Sequence, residues 1–206
     1  MAMDLMDLLK GQFSDNMVDF LSKQVGGEDH EKTEAATEGI VSTLISALAK
    51  NASTPEGANA LNNALENDHD GGILDDVVGM LSGNQQPSNQ KALDGAGILW
   101  HLLGDRQSSA ANMIGQMSGM DSGKVNNLMT LLAPVVMGVL GKTKKEQGLN
   151  VADLAGLLTQ TRTQQANQNP TMALVTRFLD QDGDGSIMDE VASMGMKMLS
   201  GFFRRR

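Results

Sequence analysis

The densest chemistry in the chain is the run DQDGDGSIMDE at 180–190. A calcium loop between two helices needs carboxylates at alternate positions one, three and five. It needs Gly at six for the sharp turn, a backbone carbonyl at seven and an apolar residue at eight. Asp180, Asp182, Asp184, Gly185, Ser186 and Ile187 follow that order. Position twelve, where a bidentate Glu closes such loops, is Val191, while Asp189 and Glu190 stand at ten and eleven and could close a shortened loop. The candidate ligands for one calcium ion are therefore Asp180, Asp182, Asp184, Ser186, Asp189 and Glu190. The same residues also suit a capped turn, with Ser186 opening the next helix and the two acids meeting its positive end. Both roles can coexist, because three Asp residues in one tight turn repel one another without a cation. A related turn, ENDHDGGILDDV at 66–77, sets Glu66, Asp68 and Asp70 against Asp180, Asp182 and Asp184. Its Gly71 and Gly72 shorten it, and a capped turn explains it better than a second ion does.

Two histidines, His69 and His101, each stand beside a Gly-containing helix start, which would let them share a metal or catalytic role if the surrounding segments pack face to face. Isolated histidines near helix ends more commonly cap or hydrogen-bond. Trp100, at the same junction, is expected to be a packing anchor. GVLGKT at 138–143 ends like a phosphate-binding loop, but Val136 occupies the place of the first Gly and no strand precedes it. A helix stop at Gly141, followed by Lys142, Lys144 and Lys145 at the negative helix end, accounts for it. Cys is absent, which excludes thiol nucleophiles, disulfides and zinc–thiolate sites.

The elements that must position these residues are helices throughout. Apolar residues recur at helical spacing, as in Ile40, Leu44, Ile45 and Leu48, or Leu128, Leu131, Leu132, Val135 and Val136. Ser14, Asp121 and Asn150 open helices, and Gly26, Gly27 and Gly104 end them. Residues 26–48 align without a gap on 118–140, so that residue 48 falls on residue 140, an offset of 92. The predicted fold is all-α, a multi-helix bundle built from two diverged helical repeats: a first repeat over 1–82, a linker over 83–92 containing GNQQPSNQ, and a second repeat over 93–206 that carries the Asp-rich loop and a last helix. The two repeats could share one core. The second pairing, 66–77 on 180–191, requires about 22 further residues in the second repeat, placed in the polar stretch TQTRTQQANQNP.

Across 206 residues the net charge is -9 and the pI about 4.7, which argues against general nucleic-acid binding. With 15 Met and no Tyr, the core is expected to rest on aliphatic and Met side chains. The first residues, MAMDLMDLLK, are acidic where a secretory signal would be basic, and no run reaches the roughly 20 apolar residues of a membrane span, so a cytoplasmic protein is expected. The C-terminal stretch presents Met194, Met198, Leu199, Phe202 and Phe203 before three Arg residues, and could meet a partner groove or an acidic lipid surface.

STPEGANALNNAL, HDGGILDDVVGML, GILWHLLGDRQSSAANMIGQMSGMDSGKVNNLMTLLAPVVMGVLGK and NVADLAGLL together resemble the bacterial YidB-like family, DUF937, over roughly residues 5–160. The resemblance implies an all-α bacterial protein and brings no activity, substrate or catalytic residue with it. The leading expectation is a non-enzymatic intracellular scaffold or interaction protein with one calcium loop. The alternatives are an enzyme or small-molecule carrier with a pocket near His69 and His101, and a membrane-surface protein held by its last helix.

Overall fold

Asp29 and Asp121 open the two longest described helices, α3 (His30–Asn51) and α7 (Ser122–Gln147), in the same way. In the computed structural model, which describes residues 5–69, 71, 72, 74 and 94–168, Asp29 Oδ1 accepts the backbone N–H groups of Glu31 at 2.9 Å and Lys32 at 3.4 Å. Asp121 Oδ1 accepts those of Gly123 at 2.9 Å and Lys124 at 3.3 Å. One carboxylate thus satisfies two of the donors that a helix start leaves unpaired. Two residues earlier in each case stands a left-handed glycine, Gly27 at φ 75° and Gly119 at φ 71°. Because the two caps have matching geometry, Asp29→Ala and Asp121→Ala should each cost about 1 kcal/mol. Urea denaturation of the two variants checks this, and an unchanged midpoint in either would count against the cap.

The remaining described elements are α1 (Leu5–Gln12), α2 (Asp15–Gln24), α4 (Pro55–Asn67), α5 (Gly95–Leu103), a 3-10 turn (Gly104–Arg106), α6 (Gln107–Ser118) and α8 (Val151–Gln168). The offset of 92 lays α1, α2 and α3 over α5, α6 and α7. Each long helix is followed by a further capped one. Thr54 Oγ1 accepts Gly57 N–H at 3.2 Å to open α4, and Asn150 Oδ1 accepts Ala152 N–H at 2.9 Å and Asp153 N–H at 3.0 Å to open α8. All the described elements are helical, as the apolar spacing predicts.

The halves interlock. The helices α3 and α7 pack on one another; α8 crosses onto α3, and α4 onto α7. In the same exchange α5 reaches α3 and α1 reaches α7. Each long helix is therefore covered by elements of both halves, and the described buried apolar residues from Leu5 to Leu158, Val18 apart, form one cluster. Every residue of α3 from Gly39 to Ala49 is buried. Thr43 fits there because its hydroxyl donates to the Gly39 carbonyl at 2.8 Å. Gly39 itself leaves room for Ile114 of α6, whose Cγ2 would stand 3.3 Å from an added Cβ.

Two expectations are corrected. Gly141 does not end a helix: α7 runs on to Gln147 and stops at Gly148, φ 63°. The extra turns are held by buried Thr143, which donates to the Val139 carbonyl at 2.8 Å. The polar stretch from 159 to 168, where further residues of the second repeat are expected, is the second half of α8. Thr159, Thr161 and Thr163 return their hydroxyls to the carbonyls four residues back at 2.8, 2.8 and 2.9 Å, and Leu154, Leu158 and Thr161 make a buried stripe. Finally, α7 is long and apolar enough to cross a membrane, with 67% of its most apolar window buried inside the body. The segment expected to link the repeats, the Asp-rich loop with its ligands from Asp180 to Glu190, and the terminal helix lie outside the described residues.

Candidate functional site around Trp100

Helix α5 reads GAGILWHLL. Leu99 and Leu103, four residues apart, are 0% and 6% exposed, which fixes its inner face. Trp100 is thereby turned outward and stands 63% exposed. The expected packing anchor is a surface side chain.

Gly104 at φ 52° ends α5 and the 3-10 turn follows, bringing Asp105 beside the indole. Helix α6 adds Gln107, Ser108 and Asn112, and the first turns of α7 add Ser122, Gly123 and Asn126. Together they line an open groove of about 510 Å³. Gln107 Nε2 donates to Asn126 Oδ1 at 2.7 Å, tying α6 to α7. The lining is neutral amides and hydroxyls apart from the Asp105 carboxylate. Lys124, on the same stretch of α7, is turned to Glu28 at 2.5 Å. A second groove, of about 660 Å³, lies where the end of α3 meets α8, lined by small and neutral polar residues including Ala52, Ser53, Ala155 and Gly156.

Neither groove is lined by a histidine. His69, just beyond α4, is 6% exposed and its Nδ1 has no hydrogen-bond partner, whereas His101 is exposed on α5. One ring is inside the body and the other on its surface. Of the acids of the 66–77 turn, two are described. Glu66 bonds Lys144 of α7 at 2.7 Å, Asp68 is exposed at the end of α4, and Asp70 lies outside the described residues. Among the described residues no three His, Asp or Glu side chains gather to hold a metal.

Electrostatics follow these pairings. The Lys124 ammonium, hydrogen-bonded to Glu28, holds that carboxyl below the usual range, and Lys144 does the same for Glu66. His30 Nδ1 lies 2.8 Å from Asp19 Oδ1, and that hydrogen bond raises the imidazole above its ordinary value. Burial acts the opposite way on His69 and lowers it, with Asp68 opposing. The linkage signs therefore differ. His30 stabilises the fold fully below its ordinary pKa, and that contribution fades as pH rises through the raised value. His69 costs stability as pH falls below its ordinary value, because the unfolded chain takes a proton that the fold resists. Proton NMR of the imidazole resonances should place the His30 midpoint above that of His69, and the reverse order would contradict both environments.

The Trp100 groove belongs to no sequence motif. The signal that could have found it is the offset of 92, which sets Phe13 against Asp105 and Phe20 against Asn112. Compared with known proteins, residues 7–143 match a family model described as a bacterial protein of unknown function, DUF937. The match ends before the Asp-rich segment. No curated protein and no solved structure matches the chain.

Proposed function

Because the chain belongs to the DUF937 family of bacterial proteins of unknown function, its role has to be read from its own surface, and we propose that it is a non-enzymatic helical interaction module that binds through the face around Trp100 and holds calcium in its Asp-rich segment. The observation that carries the reading is the exposure of Trp100, 63% in a chain with one Trp and no Tyr. Leaving such a side chain in water forgoes about 2 kcal/mol of burial. An exposed Trp is the kind of side chain that anchors a partner at a binding face.

Binding rather than catalysis also suits the ionisable groups. Glu28 and Glu66 are held by lysines, Asp29 and Asp121 cap helices, and Asp19 pairs with His30. The calcium part rests on residue pattern: Asp180, Asp182 and Asp184 at alternate positions, Gly185 at the turn, and Ser186, Asp189 and Glu190 after it. Calorimetric titration of the purified chain should find about one calcium ion per molecule, lost in Asp182→Ala and Asp184→Ala. Absence of heat at millimolar calcium would remove the ion from the proposal and leave the segment as a capped turn.

A further inference from the structure

The two halves differ most where the groove lies. In the first half the positions equivalent to Asp105 and Asn112 are Phe13 and Phe20, and both aromatic rings pack partly buried against the core. The position equivalent to Trp100 is Leu8, also packed there. The second half has replaced two space-filling rings by a short acid and a short amide, and has set an indole, largely exposed, beside the space so opened. That combination gives up apolar burial at three matched positions, so packing alone does not explain it.

We propose that the groove beside Trp100 is a binding site for a neutral oligosaccharide. Trp100 is its stacking platform, and Asp105, Asn112 and the Gln107–Asn126 pair meet its hydroxyls. The assignment rests on reading the Trp100 face as a binding face. A sugar ring offers an apolar C–H face and a rim of hydroxyls that both donate and accept. The exposed indole matches the first, and side-chain amides, hydroxyls and one carboxylate match the second. The 2.7 Å bond from Gln107 to Asn126 fixes the two amides and leaves Gln107 Oε1 to accept and Asn126 Nδ2 to donate. The volume, about 510 Å³, falls in the range of small-ligand sites.

Charge selects against other ligands. Among the described residues no cation lines the groove, Asp105 does, and the chain carries a net charge of -9, so phosphates and nucleic acids are repelled. Quaternary ammonium ligands are held by cages of several aromatic rings, and here there is one.

The single Trp makes the test direct. Intrinsic fluorescence of the full chain is titrated with chitotetraose, cellotetraose and maltotetraose, with choline and inorganic phosphate as contrasts. The expected result is a saturable change with at least one oligosaccharide, weakened about tenfold or more in Asn112→Phe. That variant restores the residue found in the first half, and its helical circular dichroism should match the parent. No saturable change with any of the three sugars at about 10 mM overturns the assignment, as does a response to choline or phosphate alone. Acrylamide quenching without ligand separates the two levels of the argument. An accessible Trp100 with no sugar response sinks the oligosaccharide alone, whereas a shielded Trp100 sinks the binding face beneath it.

Discussion

Gly95→Ala is expected to lower the stability of the protein by about 3 kcal/mol, a large effect for one methyl group. A Cβ at Gly95 would stand 1.8 Å from the Thr130 carbonyl oxygen and 2.8 Å from its carbon. Both are backbone atoms of α7, so no side chain can swing aside, and α5 has to lift off the helix it packs on. For a chain of this size the melting temperature should fall by roughly 6 to 12 °C. Since α5 also carries Trp100, the same displacement should shift the indole emission. Gly156→Ala is the matched control: it lies within α8 with nothing within 4 Å of an added Cβ, and should stabilise by about 0.5–1 kcal/mol. Equal melting of the two variants would mean that α5 does not sit on α7 as described.

Truncating Leu48 or Leu140 to Ala should each cost about 3 kcal/mol. These residues occupy matched positions near the middle of the core, and both are 0% exposed. What gives the pair diagnostic value is the interlocked packing, with α8 on α3 and α4 on α7. Neither half can loosen without uncovering the long helix of the other. Each variant should therefore melt in one transition, displaced by a similar amount. A two-step melt in which one half survives the loss of the other would contradict the shared core.

Much of this fold was legible in the sequence because its signals are local. Asp121 and Asn150 cap helices through donors two or three residues away, Asp29 repeats Asp121 at the offset of 92, and Gly27 and Gly104 turn the chain at positive φ. The repeat was visible for the same reason, since matching caps and matching apolar spacing recur at a fixed offset. Gly141 misled because a glycine followed by lysines also fits mid-helix when the next residue to be buried is Thr143. The polar composition of α8 is compatible with a helix because Thr hydroxyls that bond the carbonyl four back let it continue. The exchange of helices between halves is a long-range property, and no cap or period encodes it.

The site was less legible. Trp100 looks apolar and sits among apolar residues, so only the register set by Leu99 and Leu103 reveals that it faces out. The groove depends on what Asp105 and Asn112 do not fill, which becomes visible only against Phe13 and Phe20. The histidines show the converse: His69 and His101 resemble each other in local setting, yet one is buried and the other exposed. The candidate calcium ligands from Asp180 to Glu190 follow the loop pattern as far as Ile187, depart from it at Val191, and lie outside the described residues.

The claim on which the functional account stands is that Trp100 is open to solvent in the folded chain. Because it is the single Trp, acrylamide quenching of its fluorescence reads that one position without interference. The account predicts red emission quenched nearly as strongly as in the urea-unfolded chain. A blue emission protected from acrylamide in the native state would show the indole buried, and would contradict the binding face from which the proposed function is drawn.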